Sequence, residues 1–427
     1  MLGAIADDYT GGTDVAVAFR RAGLRAIVLF GVPEGSLNLP PHDAIVVALK
    51  TRTIDVDEAV RQSLEAAEWL RAHGADQLFF KYCSTFDSKA EGNIGPVADA
   101  LADLIGSPLA AVAPSSPEHH RTQYMGHLFV AQQLLSDSPM RHHPLTPMTD
   151  SRIVRVLESQ TERPVSLVAH QTVRQGREAI RLALDALVDD GIRYAVIDAV
   201  SDEDLVEIGY ATAGDVLVTG AAGLAGGIGA ARVALRDLDG VSPIAQPTDT
   251  VGNVPAAVLA GSCSARTLEQ VAVMRRHHDN YRLNAVEDPD PQRLADAALA
   301  WYDSRPRAGA PLIYSSLPPA ELRETQRILG TERSAHILET AMGLIARGLV
   351  ERGVRRLVVA GGETSGAVVS ALHVDGGLIG DEVAPGVPWI YSTGDEPLAL
   401  LLKSGNFGST DLLERAVEPH LAEAASA

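Results

Sequence analysis

The chain has 427 residues, which predicts two or three domains at about 100–200 residues each, and 46% of them are apolar, 21% charged and 4% aromatic. Lys and Arg number 36 against 55 Asp and Glu, so the formal net charge is −19 at pH 7. Nucleic acid and anionic membrane surfaces are bound through clustered cations, so this balance argues against both as partners, although it leaves room for a small anion in a local pocket.

The amino terminus and the cysteines bear on the cellular compartment. The first eight residues include two acids and no basic residue, unlike a signal peptide, and no apolar run approaches the ~20 residues that span a bilayer. Only Cys83 and Cys263 occur, which excludes a disulfide framework and a cysteine zinc site. We therefore expect a cytoplasmic protein.

Short β-branched runs alternate with longer amphipathic stretches along the first half of the chain. This order predicts a parallel sheet covered by helices. The predicted strands are Leu2–Ala6, Ala26–Phe30, Ala44–Ala48, Gln77–Phe80, Leu109–Ala113, Val165–Ala169, Tyr194–Asp198 and Val216–Thr219. The predicted helices include Asp57–Ala72, Gly95–Leu104, Arg174–Asp189 and Glu203–Ala211. Residues 136–150 have no periodicity and are predicted to form a functional loop.

A segment with two prolines and little periodicity, residues 238–248, interrupts this alternation and is typical of a linker. A second series follows, with predicted strands at Ala256–Ala260, Leu312–Tyr314 and Leu357–Ala360 and one long predicted helix over 318–352. With a boundary near 240–252, the sequence predicts an α/β protein of two domains, 1–245 and 246–427. Each is expected to be a mostly parallel sheet flanked by helices.

The first polar cluster, Asp7-Asp8-Tyr9-Thr10-Gly11-Gly12-Thr13-Asp14, stands between the first predicted strand and a helix. Ligands of open α/β sheets bind at the carboxyl ends of the strands. Paired carboxylates there can bind polyol hydroxyls, or one can act as a general base. A helix cap formed by Thr10 or Asp14 is the structural alternative. Capping needs one polar residue, whereas this segment has several, so the pattern favours function.

Two more polar segments follow predicted strands. Lys50 and Arg52 form either a solvated basic loop or, through the two-pronged guanidinium, a grip on a carboxylate. The segment from Lys81 to Ser88 offers a cation, hydroxyls, a thiol and a carboxylate. No local base would activate Cys83, so the cation and the hydroxyls are better candidates for contacts to a sugar-like ligand.

The histidines are grouped but do not form a known metal motif. No His-Glu-x-x-His pattern occurs, and the adjacent pairs lack the carboxylates or cysteines that zinc sites add at fixed spacing. We predict no metal site built by the protein and expect one histidine to donate a hydrogen bond to the substrate. The group comprises His119, His120, His127, His142, His143 and His170.

Three glycine turns in the second domain combine flexible backbone with hydroxyls or a cation. They are Gly261–Ser264, Gly361–Gly366 and Lys403–Gly408. Free amides at a helix N-terminus attract anions. None is a Walker loop or a dinucleotide fingerprint, and any one could be a tight turn without a ligand. Together they predict a cradle for nucleotide phosphates. A similar segment, Thr219–Gly227, is interpreted as serving the substrate or a hinge.

At this point the motifs resemble those of the four-carbon acid sugar kinases. Asp7–Asp14 resembles the D-D-[FY]-T-G-A-x-D start of that family, and Lys81–Ser88 with Gly92–Pro96 resembles its second motif. The glycine turns of the second domain complete the set, in the same order along the chain. Similarity to the 3-oxo-tetronate kinase branch is carried by Arg121-Thr122, Gly126–Val130 and His143–Ser151.

The resemblance implies an N-terminal domain for the acid sugar and a C-terminal domain for ATP, with Mg²⁺ on the phosphates. It implies phosphorylation of the 4-hydroxyl of 3-oxo-tetronate, with Asp8, or alternatively Asp7, as the base. The expected substrate contacts are Thr10, Gly11, Lys50, Arg52, Lys81, Ser84, Thr85, Asp87, Arg121 and His127. The expected nucleotide contacts are Ser262, Ser264, Gly361, Gly362, Glu363, Thr364, Ser365, Gly405 and Gly408.

Two positions depart from the family pattern, and other functions stay open. Gly12 stands where Ala is common, and Arg152 where Asn is expected. A kinase of threonate or erythronate and a non-catalytic, nucleotide-gated sensor of sugar acids are the alternatives. A dehydrogenase would need the dinucleotide fingerprint, which is missing. The sequence leaves open the stereochemistry of the substrate and whether the chain forms a homo-oligomer.

Overall fold

The computed structural model describes residues 1–33, 37–87, 89–142, 146–238, 254–305, 309–393, 396–403 and 405–418. The chain divides into two compact units, Met1–Gln246 and Pro247–Ala427. Except for Leu238, the linker predicted at 238–248 lies outside the described residues. The predicted domain boundary, near 240–252, also lies outside them. The same holds for Ser88, for residues 143–145 of the predicted loop and for Ser404.

Unit 1 alternates strands and helices as predicted, with small shifts at the ends of the elements. Its helices are α1 Tyr9–Arg21, α2 Val56–Ala72, α3 Ile94–Ile105, α4 Ile153–Glu158, α5 His170–Val173, α6 Arg177–Asp189, α7 Asp202–Ala211 and α8 Ala222–Leu238. Its strands are β1 Leu2–Ala6, β2 Ala26–Phe30, β3 Ala44–Ala48, β4 Gln77–Lys81, β5 Ala110–Ala113, β6 Arg121–Tyr124, β7 His127–Val130, β8 Gln133–Leu134, β9 Val165–Val168, β10 Tyr194–Ile197 and β11 Leu217–Gly220.

The main sheet of unit 1 is parallel, in the order β2-β3-β1-β4-β11-β5-β10-β9. Every residue of β1 is buried, as the unbroken apolar run in its sequence predicts for a strand covered on both faces. Ala6 lies opposite Ala48 of β3 and Lys81 of β4. The polar residues that follow these three strands therefore meet at one edge of the sheet.

The chain order explains why a crevice opens at that edge. From β1 the chain moves through α1 to β2 in one direction, and from β3 it moves through α2 to β4 in the other. Because crossovers between parallel strands are right-handed, α1 and α2 cover opposite faces of the sheet. Accordingly α1 packs on α8, and α2 packs on α3. The loops after β1 and β4 diverge, which is the arrangement of a ligand-binding switch point.

Unit 2 repeats this plan. Its strands are β12 Ala256–Ala260, β13 Asn280–Arg282, β14 Leu312–Tyr314, β15 Arg356–Ala360, β16 Gly376–Ala384, β17 Val387–Ser392 and β18 Ala399–Lys403. Its helices are α9 Ala265–Met274, α10 Pro291–Ser304, α11 Pro319–Leu329, α12 Thr331–Glu351, α13 Gly362–Ala371 and α14 Leu412–Val417.

The strand order in unit 2 is β13-β14-β12-β15-β18-β17-β16, parallel up to β18 and antiparallel beyond it. On one face, α12 packs against α10 and α13, whereas α9 and α14 pack together on the other. The loops after the neighbouring strands β12 and β15 therefore lead to opposite faces and frame a second crevice. In both units the predicted α/β architecture with a mostly parallel sheet is confirmed.

Several predicted elements need correction. The single helix predicted over 318–352 is two helices, α11 and α12, separated at Gly330, whose φ of +82° ends the first. The predicted functional loop at 136–150 contains short 3₁₀ turns at Leu135–Asp137 and Pro139–His142. The small antiparallel sheet β6-β7-β8 and the strands β13 and β16 to β18 were not predicted.

The glycine-rich segment Thr219–Gly227 is mostly regular secondary structure rather than a loop. Its first two residues end β11, and from Ala222 onward it is the start of α8. A side-chain carbon at Gly227 would overlap the backbone carbonyl of Leu205 in α7, and one at Gly209 would overlap the backbone of Gly227. Gly209 and Gly227 are needed because α7 and α8 cross there backbone to backbone.

None of the described helices is both long and apolar enough to cross a membrane.

Candidate active site

Asp7, Asp8 and Arg52 form the centre of the edge of the unit 1 sheet where β1, β3 and β4 end. Arg52 donates from Nε to Asp7 Oδ2 at 2.9 Å and from Nη2 to Asp7 Oδ1 at 2.8 Å. The same Nη2 lies 2.8 Å from Asp8 Oδ1. One guanidinium therefore holds two adjacent carboxylates. These charge-assisted hydrogen bonds fix the orientation of both carboxylates.

Asp8 begins α1. Its backbone is extended, its Oδ1 accepts from the amide of Gly11 at 2.9 Å, and its Oδ2 accepts from the Thr10 hydroxyl at 2.9 Å. Lys81 Nζ lies 3.8 Å from Asp8 Oδ1. Burial by itself would raise the pKa of Asp8, but the ammonium of Lys81, the guanidinium of Arg52 and the two hydrogen bonds outweigh it and lower the pKa. Asp8 is thus a carboxylate at neutral pH.

Asp7 differs from its neighbour in access and in the direction of its pKa shift. Burial raises the pKa of Asp7 against the opposing pull of Arg52. Only 7% of its side chain is exposed, compared with 29% for Asp8. Its carbonyl accepts from the amide of Thr51 at 3.0 Å, which ties the loop after β3 to the end of β1. Asp8 is the carboxylate that a ligand can reach, and Asp7 is the one that fixes Arg52.

Gly11 and Asn93 hold the cluster together in different ways. A side-chain carbon at Gly11 would overlap both Asp8 Oδ1 and Lys81 Nζ, so only glycine leaves room for this pair. Asn93 Nδ2 donates to the carbonyls of Thr51 at 2.7 Å and Ile54 at 3.0 Å. That amide shapes the loop that carries Arg52. This contact gives the Gly92–Pro96 motif a structural role.

The other predicted substrate residues lie in varied surroundings. Lys50 is exposed, with its Nζ 4.8 Å from the centre of the Tyr9 ring. Thr85 is buried, its hydroxyl 3.0 Å from Cys83 Sγ, and Ser84 beside it is half-buried. Asp87 accepts from the Thr146 hydroxyl in the predicted loop.

Arg121 and His127 lie on the small antiparallel sheet. Arg121 begins β6, is half-buried and donates to the carbonyl of His119. Burial lowers the pKa of His119. Glu118 opposes this shift, and the cations Arg121, Arg21 and Lys81 add to it. His127 Nδ1 lies 3.0 Å from the carbonyl of Met125, so the hairpin turn between β6 and β7 orients its ring.

Asp14 belongs to the same surroundings, although within its motif it was named singly only as an alternative helix cap. It lies on α1 and interacts electrostatically with Lys81, Asp8 and Arg52. Burial, offset in part by Lys81, raises the pKa of Asp14 to about 7. The motif contained this residue, but its placement depends on which face of α1 turns inward.

Two glycine turns of unit 2 meet at the crevice between β12 and β15. A side-chain carbon at Gly261 would overlap the hydroxyl of Thr364, and one at Gly361, where φ is +131°, would lie 3.1 Å from the amide of Ser262. The amides of Gly261 and Ser262 both donate to the carbonyl of Ala360, at 3.0 and 3.1 Å. The two turns therefore form one continuous backbone surface.

The third turn joins this surface through its carbonyl groups. Ser264 Oγ donates to the carbonyl of Gly405 at 2.6 Å, Thr267 Oγ1 at 2.8 Å and Lys403 Nζ at 2.8 Å. Lys403 was expected to offer its cation to an anion, but 1% of it is exposed. Burial, with Arg266 nearby, lowers the pKa of Lys403 to about 8. The cation serves to hold the turn rather than to face the ligand.

The remaining predicted nucleotide residues flank α13 or lie farther along the third turn. Gly362 opens α13 with free space where a side chain would stand, and Glu363 beside it is exposed. The Ser365 hydroxyl is buried without a hydrogen-bond partner in the described chain. At Gly408, with φ of +82°, a side chain would overlap Leu412, so this glycine is needed for packing. Arg266, in the first turn of α9, is a cation near Lys403 that was not predicted.

The residues described by the structure include no group of three His, Cys, Asp or Glu side chains that could hold a metal ion.

Comparison with known proteins identifies both units. Residues 2–228 match the family described as a sugar-binding N-terminal domain, and residues 257–413 match that described as a nucleotide-binding C-terminal domain. A protein of Pseudomonas fluorescens named 3-oxo-tetronate kinase is 47% identical over 98% of this chain and 96% of its own length. One of Methylobacterium radiotolerans with the same name is 46% identical over 98% of each chain.

Solved structures agree with this relationship. A Salmonella typhimurium LT2 protein, provisionally named a tRNA synthase, superposes with a TM-score of 0.89 at 38% identity over 98% of both chains. A Haemophilus influenzae protein, assigned to a domain family of unknown function, gives 0.82 at 38% identity over 97% of this chain and 98% of its own. The resemblance seen in the sequence is confirmed: the chain is an enzyme of the four-carbon acid sugar kinase family.

Proposed function

We propose that this kinase transfers a phosphoryl group from ATP to the 4-hydroxyl of 3-oxo-tetronate, giving 3-oxo-tetronate 4-phosphate. The observation that carries the proposal is the cluster of Asp8, Lys81 and Arg52 at the sheet edge of unit 1, a reachable carboxylate beside two cations. Relatives that share 40–47% of their residues with this chain are named 3-oxo-tetronate kinase.

Asp8 would receive the hydroxyl group of the acid sugar. As an ionised and partly exposed carboxylate, it can accept the hydrogen bond of that hydroxyl and take its proton as the new P–O bond forms. Asp7 would act through Arg52, whose Nε and Nη2 it holds in place. Lys81 would neutralise the charge that gathers near Asp8, because phosphoryl transfer depends mainly on positioning and charge.

The turns of unit 2 would hold ATP, which supplies the phosphoryl group. The amide of Gly362 stands at the start of α13, where the helix dipole favours an anion, whereas the amide of Gly361 already donates to the carbonyl of Lys403. The buried Ser365 hydroxyl, which has no hydrogen-bond partner among the described residues, lies in the same turn. Mg²⁺ on the phosphates would keep several waters and need few protein ligands.

Replacing Asp8 by Asn tests the assignment of the base. The side chain keeps its size but can no longer take a proton, so kcat with 3-oxo-tetronate and ATP should fall by ~10²–10⁴-fold. Asp190→Asn is the matched control, since Asp190 is exposed at the end of α6, at the amino edge of the sheet. A folded Asp8→Asn enzyme with full kcat would show that Asp8 is not the base.

A panel of four-carbon acids tests the substrate. ADP release is measured with 3-oxo-tetronates, threonate and erythronate at equal concentration. The highest kcat/KM is expected for a 3-oxo-tetronate. A higher value for threonate or erythronate would assign a related kinase, and binding of acid sugars without ADP release would indicate the sensor.

A further inference from the structure

Asp14 is a titratable residue near the edge of the unit 1 sheet that the proposed mechanism leaves unused. Thr10 and Gly11 precede it in α1 by four and three residues, so the three share one face of the helix. The Thr10 hydroxyl donates to Asp8 Oδ2 at 2.9 Å, and a side-chain carbon at Gly11 would overlap Asp8 Oδ1 and Lys81 Nζ. Asp14 therefore lies on the face of α1 that is turned toward this pair.

The carboxyl group of Asp14 has no hydrogen-bond partner in the described part of the chain, although the residue is half-buried. Its charged neighbours act on it from a distance. A polar group that leaves water without gaining a hydrogen bond costs free energy, so an unpaired one calls for an explanation. A ligand in the crevice at this edge would supply the missing partner.

Burial and charge decide in which form Asp14 meets that ligand. Burial raises its pKa to about 7, with Asp8 and Glu118 acting in the same direction. Lys81 and Arg52 oppose this rise only in part. Below pH 7 Asp14 is therefore mainly a neutral carboxylic acid, which donates one hydrogen bond, whereas Asp8 is an ionised acceptor.

The substrate carries matching groups on neighbouring carbons. In 3-oxo-tetronate the oxo group on C3 stands next to the 4-hydroxyl, which Asp8 would receive. A ketone oxygen only accepts hydrogen bonds, so it suits a protonated carboxyl and meets a second acceptor once that carboxyl ionises. The hydroxyl that threonate and erythronate carry on C3 both donates and accepts, so it suits either form.

We propose that Asp14 donates a hydrogen bond to the 3-oxo oxygen of the substrate and favours the keto acid over the hydroxy acids. The inference rests on the proposed function, because it assumes that the 4-hydroxyl of a four-carbon acid lies at Asp8. It gives the unpaired carboxyl a role in specificity, and it makes the substrate preference of the enzyme depend on pH.

The ratio of kcat/KM for a 3-oxo-tetronate to kcat/KM for threonate tests the proposal, with ADP release measured at a series of pH values. Ionisation of ATP and of Asp8 affects both substrates alike and cancels in this ratio. In the unmodified enzyme the ratio should fall about tenfold from about pH 6 to about pH 8, because the protonated fraction of Asp14 falls by that factor.

Two variants separate the donor from its titration. Asp14→Asn carries an amide that donates at every pH, so its ratio should stay constant. Asp14→Ala removes the donor, so kcat/KM for the 3-oxo-tetronate at about pH 6 should fall roughly fivefold or more, and further than in Asp14→Asn. The matched control is Asp190→Asn, at an exposed site, which should keep the tenfold change. Urea unfolding checks that each variant is folded.

The outcomes distinguish the role of Asp14 from the proposed function. A constant ratio in the unmodified enzyme, or the same fall in Asp14→Asn, would overturn the role of Asp14 and leave the kinase activity on 3-oxo-tetronate intact. A higher kcat/KM for threonate than for every 3-oxo-tetronate over the whole pH range would contradict the proposed substrate, and this inference with it.

Discussion

Because Gly11 has no side chain, the carboxylate of Asp8 and the ammonium of Lys81 can lie side by side. Gly11→Ala would push the new methyl into Asp8 Oδ1 and Lys81 Nζ, so these groups must separate. We expect kcat/KM to fall by roughly 10²-fold, because small displacements of reacting groups have effects of this size. The protein should still fold. Steady-state kinetics and urea unfolding measure the two effects.

Gly226→Ala is the control for that variant. Gly226 is also inside a helix, and a methyl there meets only Ala18 Cβ at 4.0 Å. It should leave kcat/KM unchanged. If Gly11→Ala retained full activity, the close approach of Asp8 and Lys81 would not matter for catalysis.

Asp14 makes stability depend on pH. Its pKa rises from 3.8 to about 7 on folding because of burial, so the folded state resists its ionisation. Below pH 4 the group is protonated in both states and contributes nothing. As the pH rises to 7 the unfolded chain ionises first, which lowers the free energy of unfolding, and above pH 7 the loss is complete.

Asp14→Asn removes this titration. The variant should therefore gain stability over the unmodified protein between pH 4 and pH 7, reaching on the order of 2 kcal/mol at pH 8 after allowance for solvent screening. Urea unfolding at a series of pH values measures the difference. A difference that is the same at pH 5 and pH 8 would contradict the raised pKa.

The sequence was sufficient to predict those site residues that are placed in the site simply by following a strand. Asp7, Asp8, Arg52 and Lys81 all follow buried apolar runs, and parallel strands bring their carboxyl ends to one edge. The direction of a side chain was harder to predict. Lys403 also follows an apolar run and is the last residue of β18, but its ammonium donates to the carbonyl of Gly405 and points inward. The local sequence pattern does not show this contact.

At the scale of elements, the crossing of α7 and α8 depends on the missing side chains of Gly209 and Gly227. Gly227→Ala would place a methyl in the backbone of α7 and should lower the free energy of unfolding by about 1–3 kcal/mol. Its neighbour Gly226 has room, and Gly226→Ala should raise stability by up to about 1 kcal/mol through helix propensity.

Urea unfolding of both variants measures this contrast within one helix. Equal stabilities would show that α7 and α8 can separate at no cost, contrary to the close packing of their backbones.

The elements that were predicted well are those whose pattern is local. Buried parallel strands are continuous apolar runs, so β1, β2, β3 and β12 have the predicted bounds. The start of α8 was misinterpreted because its glycines look like a loop until the neighbouring helix is known. Strands β16 and β17 pair antiparallel with shifts in register, so their alternation is interrupted and no simple pattern marks them.

The net charge of the whole molecule, −19, opposes the approach of an anionic substrate. Salt screens this long-range repulsion, with a Debye length that falls to about 8 Å at physiological ionic strength. We expect kcat/KM for the acid sugar to hold steady or rise slightly when salt is increased from about 20 to about 150 mM. Assays at fixed pH check this, and a steep fall would mean that cations steer the substrate.

Each unit carries one of the two free cysteines. Cys83 lies between Lys81 and Thr85 in unit 1, and Cys263 lies in the first glycine turn of unit 2, where its sulfur accepts from the amide of Leu317 at 3.3 Å. Both thiols are half-buried. The unmodified chain therefore already contains a separate chemical reporter for each loop, and the alkylation rates of the two thiols can follow occupancy of the two units without an introduced label.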